Sequence, residues 1–146
     1  MKHHFTWPIL ILLLALSGCA HHRSTDDHAK AFFDDGRSYI LKYLKKQDVS
    51  QEQIERAKAI LDRDEARVTR DIAAAFSTHK EMLFAVTTGK DSATLAPLEN
   101  SAHLAQAQAV RSIGQMHEAL QTAVGAEKWD AAMLGMEKKM ARYLRK

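Results

Sequence analysis

Apolar residues recur at intervals of three and four through most of the chain. Between Gln51 and Thr87 they fall at Ile54, Ala57, Leu61, Val68, Ile72, Ala75, Met82 or Leu83, and Val86, with Asp64 and His79 filling two slots of the same series. A 3.5-residue average is the coiled-coil period, and it predicts one long helix of about 54 Å. Gly89, inside "TTGKDS" (Thr87–Ser92), suits a left-handed C-terminal cap. A second series runs through Leu95, Leu98, Ala102, Ala105, Ala109, Ser112 or Ile113, Met116, Leu120 and Ala123. It predicts a helix from near Thr94, because Pro97 fits a first turn and breaks a helix interior. The short connection makes these two helices an antiparallel hairpin. Upstream, Ala29, Phe33, Ile40, Tyr43 and Leu44 predict a helix from about Asp27 to Gln47, with Gly36 as the weak seam position. Downstream, Trp129, Ala132 or Met133, Met136, Met140 and Tyr143 predict a last helix from Ala126 to Leu144. No stretch alternates like a strand. The expected fold is all-α, a four-helix hairpin-type architecture with a long central antiparallel helix pair.

The first residues follow a different pattern. Lys2 precedes an apolar run, "PILILLLAL" (Pro8–Leu16), that is too short to span a bilayer as a mature helix. The run ends in "LSGC" (Leu16–Cys19), which resembles a bacterial lipoprotein lipobox. That resemblance implies diacylglyceryl attachment to the Cys19 thiol, cleavage before Cys19 and acylation of the new amine. Three acyl chains would hold the protein firmly, at about 0.8 kcal/mol per buried CH2. Residues 1–18 are thus read as a signal peptide, 19–28 as a lipid-anchored tether and 29–146 as the helical domain. Cys19 is the only cysteine, so no intrachain disulfide is expected in an oxidising compartment. Ala20 follows it; lipoproteins with a residue other than Asp there usually go to the outer membrane, so its periplasmic leaflet is the expected location.

Two short stretches have the same outline. In "DVSQEQI" (Asp48–Ile54), Ser50 is an N-cap and Gln53 the third helical residue, a capping box. Val49 and Ile54 form the accompanying hydrophobic staple. In "AVGAEKW" (Ala123–Trp129), Val124 and Trp129 take the staple positions and Gly125 is an acceptable N-cap, but Lys128 cannot complete the box. Two such starts, with a heptad hairpin between them, resemble the layout of the Spy/CpxP family of bacterial periplasmic proteins. That family is marked by two Leu-Thr-x-x-Gln motifs, and its relatives include the zinc-responsive ZraP and the metal sensor CnrX. The similarity covers about Ser38 to Tyr143. "VSQEQ" (Val49–Gln53) keeps the motif with conservative changes, whereas "VGAEK" (Val124–Lys128) keeps the apolar residue and the spacing. The resemblance implies a cradle-shaped homodimer and an ATP-independent chaperone that binds unfolded or misfolded envelope proteins.

Charge sharpens this picture. Without residues 1–18 the chain carries 20 basic and 18 acidic residues, but unevenly. Residues 29–47 hold five bases against two acids, and 126–146 hold six against three. Arg37, Lys42, Lys45, Lys46, Lys138, Lys139, Arg142 and Arg145 are the candidate cations for acidic clients or anionic head groups, against the plainer reading of a solvated face. Phe32, Phe33, Tyr39, Trp129, Met133, Met136 and Met140 are the large apolar groups outside the hairpin. Methionine adapts to varied partners, while core packing is the plainer role. Nucleic acid is not expected as a partner, since the chain reads as exported and lacks a recognition motif. Nor is an enzyme, since there is no phosphate loop, nucleophile elbow or recognisable Ser/His/Asp context. Metal is the alternative ligand, zinc or another transition ion, with His79, His103 and His117 as candidates. His79 and His103 are expected to approach each other across the hairpin, although no His-x-x-x-His pair is present. A structural lipoprotein with one dedicated partner is the third reading.

Overall fold

The computed structural model describes the backbone of residues 24–143 and side chains up to Lys138. The signal-peptide and Cys19 readings lie outside the described residues, as do the side chains of Lys139, Met140 and Arg142. The described chain is all-α: α1 (Thr25–Leu44), α2 (Gln51–Thr87), α3 (Ser92–Val124) and α4 (Ala126–Tyr143).

Local chemistry sets each boundary. α1 starts two residues before the expected Asp27 because Ser24 caps it. The Asp27 amide donates to Ser24 Oγ (3.1 Å), and the Asp27 carboxylate accepts from the Ser24 hydroxyl (2.9 Å) and amide (3.4 Å). This is a capping box with aspartate in the Glu/Gln position. The expected tether is therefore shorter, and His28 belongs to the helix. α1 also ends three residues before the expected Gln47. The Lys46 and Gln47 amides reach back only three residues, to Tyr43 and Leu44, and Asp48 takes φ +51°. A short polar side chain tolerates that left-handed turn.

α2 has the predicted limits. Its C-terminus is a Schellman motif: Lys90 N–H bonds the Ala85 carbonyl and Gly89 N–H the Val86 carbonyl (both 3.1 Å), with Gly89 at φ +70°. α3 begins two residues before the expected Thr94, because Asp91 Oδ1 accepts from the Thr94 amide at 2.9 Å. Those hydrogen bonds hold the Asp91 carboxyl below its usual range, the Thr94 side chain contributing first and its backbone second. Pro97 consequently sits inside the helix rather than in its first turn. It leaves the Ala93 carbonyl without its helical donor, which is tolerable this close to the exposed start.

Two compact units share these helices: 24–32 with Ala66–Gly114, and Phe33–Glu65 with 115–143.

In the first unit α2 and α3 run antiparallel over Ala29, Val68, Ile72, Ala75, Ala102, Ala109 and Ile113, all buried. The seam departs from expectation near the α2–α3 turn. Ala85 is buried there, while Leu83 and Val86 face outward. Asp71 is buried in the same unit. It accepts from the Ser112 hydroxyl, from Gln108 Nε2 (3.2 Å) and from Arg70 Nε (3.1 Å). Burial pushes this carboxyl up, but the bonds from Ser112, Gln108 and Arg70 outweigh it and hold it below the ordinary value.

The second unit is richer in large side chains. Phe33, Ile40, Tyr43, Leu44, Ile54, Leu61, Met116, Leu120, Val124 and Trp129 are buried. Asp64 fills its predicted seam slot, its carboxylate bridged twice by Arg63 (2.8 and 3.1 Å). α4 meets α1 where the Tyr43 ring crosses Gly135. A Cβ on Gly135 would stand 2.8 Å from Tyr43 Cδ1, so only glycine fits beside that buried ring.

Candidate functional site

The second unit holds the two helix starts singled out by sequence. The first is a complete capping box: Gln53 N–H donates to Ser50 Oγ (3.2 Å) and Ser50 N–H to Gln53 Oε1 (3.1 Å). The Gln53 amide nitrogen also donates to the Val124 carbonyl at 3.0 Å, which sequence reasoning did not anticipate. The second start has no box of its own. Gly125, at φ +92°, accepts from the Trp129 amide while its own N–H closes α3 on the Gln121 carbonyl. Lys128 reaches instead to the Asp48 carbonyl, 2.8 Å away. Each third-residue side chain therefore bonds a carbonyl just ahead of the other helix start. The bulk of Val49 is half-buried, and Ile54, Val124 and Trp129 are buried.

Gln53→Ala is expected to cost about 1–2 kcal/mol in urea unfolding, since it removes a box partner and the donor to Val124. Gln53→Glu retains the box but cannot donate across. If it is as stable as the native chain, the cross-helix bond contributes nothing.

The candidate client-binding residues with described side chains all fall in this same unit. Lys42, Lys45, Lys46 and Lys138 are exposed, and Met133 and Met136 are half-buried. Tyr43 on Gly135 brings the end of α1 against α4; Lys42, Lys45 and Lys46 lie within three residues of Tyr43 along the chain, and Met133, Leu134 and Met136 within two of Gly135 on α4. Leu134 is exposed, and the Lys46 ammonium stands 4.9 Å from the Tyr43 ring centroid. Arg37, another of these candidates, pairs with Asp62 (2.5 Å) and Glu65 (3.6 Å), joining α1 to α2. The Tyr43–Gly135 crossing was missed. Its only sequence trace is a glycine between two methionines in a helical stretch.

The three candidate histidines separate. His79 and His103 line one pocket of the first unit, with Met82, Glu99 and Gln106, as expected from the hairpin. His103 Nε2 lies 3.8 Å from Glu99 Oε1. His117 belongs to the second unit, edge-on to Trp129 at 5.2 Å between centroids. Burial lowers its pKa to about 4, so the imidazole is neutral at pH 7. Among the described residues no three His, Cys, Asp or Glu side chains gather as a metal site. No described helix is long and apolar enough to cross a membrane.

No protein-family model, curated protein or solved structure matches the chain.

Proposed function

We propose that this chain is a lipid-anchored periplasmic chaperone that holds unfolded envelope proteins without ATP. The observation that carries this reading is the crossing of Tyr43 on Gly135, with exposed Lys42, Lys45, Lys46 and Lys138 and the accessible Met133, Leu134 and Met136 each within three residues of it along the chain. Such a surface attracts acidic segments by charge and accommodates varied apolar ones through flexible thioethers. The Spy/CpxP resemblance supports the same reading and adds a homodimer as the working form.

The purified protein is expected to suppress aggregation of unrelated unfolded clients at near-stoichiometric ratios. Lys42→Gln/Lys46→Gln/Lys138→Gln should weaken suppression about 3- to 10-fold, with the largest difference at low salt. Light scattering measures both, and absence of suppression at any ratio overturns the reading. The pocket shared by His79 and His103 supports a second reading, transition-metal binding. Zinc added to the same assay separates the two: a metal responder changes with zinc, and a His79→Ala/His103→Ala variant does not.

A further inference from the structure

The end of α2 presents large apolar side chains that nothing in its own unit covers. Phe84 is 68% exposed, Val86 54% and Leu83 46%, all within the last turns before Gly89. Further along α3, Leu104 is also exposed. The nearby charges cancel: Lys80 with Glu81, and Lys90 with Asp91. An exposed apolar cluster of this kind marks a docking surface.

Its place in the fold identifies what covers it. The patch belongs to the same compact unit as the start of α1, residues 24–32 with Ala66–Gly114. Cys19 precedes Thr25 by six residue steps, which span at most about 20 Å. A lipid anchor at Cys19 therefore keeps this unit, which carries the exposed α2–α3 turn, close to the lipid surface.

We propose that the α2–α3 turn, through Leu83, Phe84 and Val86, docks on the lipid surface to which Cys19 is anchored. This inference rests on the lipid-anchor part of the reading above. The three side chains enter the head-group boundary while Lys80 and Lys90 extend along the interface with their charged ends in water. Because the local charge is balanced, docking does not depend on anionic lipid.

The test uses the mature acylated protein. Its single native thiol is blocked by lipid, so a cysteine introduced as Thr88→Cys takes an environment-sensitive fluorophore alone. In phosphatidylcholine vesicles that label is expected to shift to the blue. It should lose at least about half its access to an aqueous quencher, equally with or without phosphatidylglycerol. A label at Lys45→Cys should remain water-like. Leu83→Ser/Phe84→Ser/Val86→Ser alters only exposed positions and should restore quenching to the Lys45→Cys level. A Thr88→Cys label that stays in water on an acylated protein overturns the docking. So does a blue shift that depends on protein concentration and not on vesicles, which would mean a second copy covers the patch. An unmodified Cys19 mass instead removes the anchor reading itself.

Discussion

Trp129→Ala is expected to destabilise the chain by about 3–5 kcal/mol and to return His117 towards its ordinary pKa. Trp129 is 5% exposed and stands edge-on to the His117 ring, so its removal opens a large void and admits water to the imidazole. The pH consequence has a definite sign. His117 is held at about 4 against an ordinary 6.5, so between those values the unfolded chain binds more protons than the folded one. Stability is fully present above 6.5 and falls as the pH drops towards 4, by at most about 3 kcal/mol. Urea unfolding at pH 7.5 and pH 5 should show this loss in the native chain, and a much smaller one in Trp129→Ala. His117→Gln should flatten the same interval. An equal pH slope in all three proteins would show that His117 is not the group responsible.

Asp71→Ala is the second large effect, about 2–4 kcal/mol. The Ser112 hydroxyl is buried and loses its acceptor, and Gln108 and Arg70 lose theirs. The folded carboxyl lies below its ordinary value, so its contribution is complete above pH 4 and disappears as the pH falls through the folded pKa. Adding Ser112→Ala to Asp71→Ala removes the orphaned hydroxyl. The double variant should cost less than the sum of the singles by 1 kcal/mol or more, since the two groups share one network. Strict additivity in a double-mutant cycle would show that they do not cooperate.

Much of the fold was legible, because its strongest devices are local. Ser50 and Gln53 fix the start of α2 by reading only their own backbone, and Gly89 ends it by a conformation few other residues accept. The seam residues Ile54, Leu61, Val68 and Ile72 follow from period alone. Local reading erred at Pro97, where the rule for proline outweighed the cap three residues before Thr94. At the other end of that turn, Leu83 and Val86 fit the apolar period as well as Ala85 does. Period alone does not decide between neighbouring apolar residues, and the smaller one is buried. The site was less legible. Lys42, Lys46 and Lys138 are exposed as their composition indicated, yet what brings the helices that carry them together is Tyr43 lying on Gly135, a contact 92 residues apart in sequence. Arg37 showed the same charge in sequence and turned out to be engaged by Asp62 and Glu65.

Gly125 closes α3 and opens α4 with a single residue between them. The connection consequently has no slack. α4 can swing away from α3 only by rotating the two dihedrals of Gly125, and any L residue there would begin from strain at φ +92°. A swing also pulls Lys128 from the Asp48 carbonyl and moves the Val124 carbonyl that Gln53 holds. The joint is thus a one-residue connection braced by the pair of side chains that the helix starts exchange, so the angle at which α4 leaves α3 is fixed locally, before Trp129 is packed.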